Sequence, residues 1–150
     1  MSTALTIALI LHIVLGIVGV GAIHTAFMQV MRKNPPYKVV EVFSWIAVFA
    51  FIASWATGAY YYVVYYGKAV KPRILESGYP WAHQVFMEAK EHVFILIPFL
   101  TIICALSIYI LRSNKDDGAL KRAVAILGGV ILLLGVFVAA SGILISGAVR

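Results

Sequence analysis

The chain has 150 residues, 63% of them hydrophobic and 12% charged, with 12 Lys and Arg against 6 Asp and Glu for a net charge of +6. A mean hydropathy of +0.98 excludes an ordinary soluble domain, whose surface needs far more charge. Basic flanks are normal beside membrane-spanning helices, so the positive balance requires no nucleic-acid partner, and no motif in the chain points to one.

The charges gather between four apolar runs, each near or above the ~20 residues needed to cross a bilayer. The pattern predicts an all-α, integral membrane four-helix bundle, a single transmembrane domain with helices over about 4–30, 42–67, 82–111 and 123–148. The first run resembles the apolar region of a signal peptide. It is too long for one, lacks a basic start and carries His12 and His24, so it reads as a retained span.

Asn34-Pro35-Pro36 stops the first helix, because proline lacks a backbone donor and restricts the residue before it. Tyr60, Tyr61, Tyr62, Tyr65 and Tyr66 form an aromatic belt at the end of the second helix, with Trp81 at the same interface. Between them, residues 67–80 read as the longest loop, a lid or docking surface, with Lys71-Pro72-Arg73 and Gly78-Tyr79-Pro80. Asn114 to Gly118 makes the polar turn before the fourth helix. There Gly128, Gly135 and Gly142 repeat every seven residues, a small-residue face that lets another helix or a flat cofactor approach closely.

The linkers around 31–41 and 112–122 hold Arg32, Lys33, Lys38, Arg112, Lys115, Lys121 and Arg122, against Lys68, Lys71, Arg73 and Arg150 on the other side. This bias favours both termini outside; a prokaryotic cytoplasmic membrane is the expected location. Cys104 is the single cysteine, so no internal disulfide forms, and without a Cys-x-x-Cys-His motif any haem is held noncovalently.

A metal-competent side chain inside hydrocarbon is costly and marks a candidate site. His12 and His92 each fall about nine to twelve residues into helices that cross in the same direction, ~13–18 Å along the axis, where they can face each other. Gly16 and Gly19 follow His12 at i+4 and i+7, a strip without side-chain bulk beneath a potential ligand. Two neutral imidazoles from opposite helices would make a six-coordinate haem b for electron transfer. In Lys90-Glu91-His92, Glu88 can orient His92 from one turn away, and Lys90 can pair with a haem propionate or ligate as a neutral amine. His24 is rotated roughly 120° from His12 at ~100° per residue; with Met28 below it, it is the candidate for a second haem or a proton or quinone role. His83 reads as interfacial, with ligation as its alternative.

Leu11-His12 with Gly16 and Gly19, the Thr57-Gly58 step, and a Trp81-containing start to the third helix with an inward Lys90 resemble the small four-helix membrane proteins that include HemJ-type protoporphyrinogen oxidases and the copper-resistance CopD family. The resemblance covers the whole chain as topology and a dozen or so residues as motif. It implies a b-type haem on His12 and an important lysine at Lys90. The additional His92 and the missing basic arm after the first helix depart from the oxidase pattern.

The leading expectation is a membrane b-type cytochrome that exchanges electrons with quinone, anchoring redox partner subunits or a homo-oligomer in membrane lipid. A HemJ-like porphyrinogen oxidase and a cofactor-free structural subunit are the alternatives. Copper handling is disfavoured because Met28, Met31 and Met87 are scattered and Cys104 stands alone, whereas Cu(I) selects clustered soft ligands.

Overall fold

The structure, a computed structural model, describes residues 1–148; Arg150, counted in the charge bias, lies outside them. Four helices, each long and apolar enough to cross a membrane, make up an all-α integral membrane bundle: α1 (Thr3–Val30), α2 (Tyr37–Glu76), α3 (Ala82–Ser113) and α4 (Gly118–Gly147).

Local chemistry sets the helix ends. Ser2 caps α1, its Oγ accepting from the Leu5 N–H at 3.4 Å, and Asp117 caps α4 by accepting from the Leu120 N–H at 2.8 Å. That cap starts α4 five residues before the expected position, with Lys121 and Arg122 in its polar first turns. Likewise α2 starts directly after Pro36, ahead of its apolar run.

The largest departure from expectation lies in residues 67–80, which do not form a long loop. Helix α2 continues through Tyr62–Val70 as wide i→i+5 turns and finishes with an α-helical turn over Lys71–Glu76. Proline does not break it, because Pro72 sits at the seam between the two turn types, in a first turn where a missing N–H costs least. The start of α3, Ala82–Met87, is also wound in wide turns. Such turns are rare and concentrate at functional sites.

Around the bundle, α1 packs on α2 and α4, and α3 packs on the same two neighbours. Glycines let the helices close in. A Cβ at Gly19 would lie 2.7 Å from the Phe51 ring, and one at Gly135 would lie 3.0 Å from Val20. Ile23, Val40, Ile97, Ile108 and Ile131 complete a core closed to solvent. From the level of His12, α1 runs only nine residues to Thr3, while from the facing Gly58 α2 runs eighteen to Glu76. The α2–α3 hairpin therefore stands on the order of 10 Å beyond the start of α1, with the tyrosine belt at its base.

Candidate functional site

His12 is seated by α2. Its Nδ1 lies 2.9 Å from the Ser54 carbonyl oxygen, while the Ser54 hydroxyl donates to the His12 carbonyl at 2.8 Å. A carbonyl only accepts, so Nδ1 carries the ring proton and Nε2 is left with its lone pair. Gly58, one turn beyond Ser54, makes room for the ring: a Cβ there would stand 2.5 Å from Nδ1. The edge of Phe94 closes the opposite side, its centroid 5.6 Å from that of the imidazole at an interplanar angle of 89°.

His12 and Gly58 line a cavity of about 500 Å³ together with Tyr62, Lys90, Glu91 and Gly142. This volume falls in the range of small-molecule and cofactor sites, and its walls are mostly apolar with a few converging polar groups. Lys90 reaches from α3 to α4, where a Cβ on Gly142 would meet its Nζ at 3.4 Å. Glu91 places Oε1 in a fully buried position with no hydrogen-bond partner among the described residues. A buried oxygen without a partner costs about 1–3 kcal/mol, so a ligand that donates to it gains affinity.

The wide turns shape the outer wall. Tyr62 and Tyr66 stack at 5.2 Å with their planes 20° apart, and the Tyr66 hydroxyl lies 3.1 Å from His83 Nδ1. This buried pair ties the end of α2 to the start of α3. His83 is almost fully enclosed within the protein, packed against Tyr66 of the helix that replaces the 67–80 loop.

The remaining candidates separate. His92 does not face His12; it projects from the outside of α3, and its Nδ1 lies 2.7 Å from the Glu88 carbonyl oxygen one turn earlier. Lys90, two residues back and so roughly 200° around the helix, shares the cavity instead. His24 and Met28 are exposed on the outer face of α1. Gly16 and Gly19 are taken up by α2: a Cβ at Gly16 would lie 3.4 Å from Ser54 Oγ, and Gly19 receives Phe51. The bare surface expected on α1 is thus used for helix packing, and the glycines that line the cavity are Gly58 and Gly142. Gly58 was singled out only beside Thr57; Ser54, four residues earlier, makes with it a small-residue step that the local pattern carries. Their pairing with His12 depends on helix register, which local pattern does not determine.

No family model, curated protein or solved structure matches this chain. Its chemistry rests on the site. Among the described residues, no group of three or more His, Cys, Asp and Glu side chains is placed to cage a bare metal ion. A macrocycle brings its own four equatorial donors and asks the protein for axial ligands alone. The donor set here, one imidazole with its second nitrogen tied to a carbonyl and one amine lining the same mostly apolar cavity, is of a kind that could meet that demand.

Proposed function

We propose that this integral membrane protein is a b-type cytochrome in which His12 is an axial ligand of haem b, serving electron exchange with quinone as the anchor of a larger redox assembly. One observation carries the reading: His12 donates through Nδ1 to the Ser54 carbonyl and lines a cofactor-sized cavity, the arrangement that fixes the tautomer of a metal-ligating histidine. Haem, when bound, supplies one-electron chemistry. Ser54 holds the proton on Nδ1 and orients the ring, Phe94 and Tyr62 would exclude water and lipid, and Lys90 would serve as second ligand or as the cation for a propionate. The more basic linkers around 31–41 and 112–122 support an orientation with both termini outside, and we place the protein in a prokaryotic cytoplasmic membrane.

A reduced-minus-oxidised optical spectrum of protein purified after haem-replete expression tests the proposal. We expect sharp b-type bands that vanish in His12→Ala and change in Lys90→Met. Absence of a Soret band in the wild-type chain overturns it.

The position of Lys90 favours a second reading, porphyrinogen oxidation of the kind the HemJ resemblance implies, since the lysine rather than His92 shares the cavity with His12. Here the lysine orients a tetrapyrrole substrate by its carboxylates. Anaerobic appearance of porphyrin fluorescence from added protoporphyrinogen, with excess quinone as the acceptor of the six electrons, abolished in Lys90→Met, distinguishes this reading from pure electron carriage.

A further inference from the structure

A second cavity, of about 430 Å³, opens on the outer face of α2 and α3 at the end of the bundle away from His12, and its wall changes chemistry along its length. Lys38 and Arg112 stand at the mouth beside Glu41, and Val42, Trp45, Ile46 and Phe49 continue along α2. These four apolar residues recur at helical spacing on one face. Val42 is 57% and Phe49 68% exposed, so no other helix of this chain covers that face.

The mouth is built for an anion. Arg112 Nη1 donates to Glu41 Oε2 at 2.7 Å, yet the arginine side chain stays 41% exposed and its fork has further N–H groups to offer. Lys38 has no hydrogen-bonded or ion-paired side-chain partner among the described residues. Two cations against one carboxylate leave a single positive charge. The start of α2 adds to it through the positive end of the helix dipole, which no acidic residue in its first turn offsets.

Length selects the occupant. From Lys38 to Phe49 the groove spans eleven residues, ~16 Å of helix, about half the ~30 Å hydrocarbon thickness. A neighbouring helix would continue its contact across the whole bilayer, whereas one lipid tail ends at the midplane. We propose that this groove is a binding site for a phospholipid with a singly anionic phosphodiester headgroup, the phosphate held by Lys38 and Arg112 and one acyl chain lying along Trp45 and Phe49. Basic pockets between transmembrane helices bind anionic headgroups by this chemistry.

Native mass spectrometry of the full chain, released from neutral detergent with phosphatidylglycerol or phosphatidylcholine of identical acyl chains, tests the site. Phosphatidylglycerol is expected to be retained about fivefold or more over phosphatidylcholine. Lys38→Gln, which breaks no side-chain hydrogen bond or ion pair among the described residues, removes most of that preference; Lys33→Gln, an equal charge change in the neighbouring linker, leaves it intact. Glu41→Gln increases retention by freeing Arg112. Equal retention of the two lipids overturns the proposal, as does an effect of Lys33→Gln as large as that of Lys38→Gln. A dimer that carries no lipid and dissociates on Phe49→Ala also overturns it, assigning the groove to a second copy.

Discussion

The two halves of the bundle use the same residue for opposite ends. In the half around Gly19 and Gly135, glycine lets apolar side chains of neighbouring helices fill the space: Phe51 lies over Gly19, and Val20 reaches Gly135. Around Gly58 and Gly142, the space is occupied by the imidazole of His12 and the amine of Lys90, and beside them a cavity stays open. A small residue in a membrane helix therefore marks close approach without saying what approaches. The first half is core; the second is a seat for polar groups at a depth where they are costly and earn retention through function.

Filling Gly58 is the severest test of this contrast. A Gly58→Leu side chain must occupy the position of the imidazole, and overpacking of this kind costs typically 1–3 kcal/mol. If that cost falls on the seated His12, the affinity for the proposed haem drops by about 5- to 150-fold while helix content by circular dichroism is unchanged. Full haem content in Gly58→Leu would place Gly58 with Gly19 as a packing residue.

How far the sequence carried this picture depends on the distance over which each feature is specified. Four spans were legible because hydrophobic run length is a local property, and so were the stops at Asn34-Pro35-Pro36 and the turn before Gly118. Residues 67–80 were misread because Pro72 and Gly67 are breakers in an ordinary α-helix, and the wide turns that accommodate them leave no clear local pattern. Depth counting placed His12 and His92 at similar heights but was insensitive to rotation. The roughly 200° between residues 90 and 92 decides which of them meets His12, and wide turns at the start of α3 alter that register. Glu91, whose buried oxygen lacks a partner among the described residues, was given no role of its own between Lys90 and His92 for the same reason.

The packed half responds differently. Gly19→Ala brings a Cβ to 2.7 Å from the Phe51 ring, where backbone or ring must shift, and is expected to lower stability by about 1–3 kcal/mol. Denaturant unfolding in mixed micelles measures it, and Phe51→Leu in the same chain restores part of the loss. The optical bands of correctly folded Gly19→Ala stay at wild-type positions. A spectral change as large as that of Gly58→Leu would mean that the two halves are not separable.

Ser54 lies at the boundary between the halves, fully buried, with its hydroxyl on the His12 backbone and its own carbonyl on the His12 ring. Ser54→Ala removes the first bond and leaves the second. Stability falls by about 1 kcal/mol, the usual net worth of one hydrogen bond, and haem is retained because the backbone carbonyl still fixes the tautomer. Loss of haem in this variant would transfer the orienting role from the carbonyl to the hydroxyl, 3.2 Å from Nδ1.

The smallest effect is expected at His92, the residue that depth alone favoured. Its ring nitrogen is satisfied within its own helix by the Glu88 carbonyl, and its side chain projects away from the cavity. His92→Ala therefore removes a polar group from the outer surface without opening a core void, a change that typically stays within about 0.5 kcal/mol. The haem bands keep their position and intensity, whereas Lys90→Met, two residues away, alters them. The paired spectra read the rotation of α3 directly: bands that disappear in His92→Ala and survive in Lys90→Met would require α3 to turn its other face to His12, and with it the assignment of Gly142 as the floor beneath Lys90 would fall.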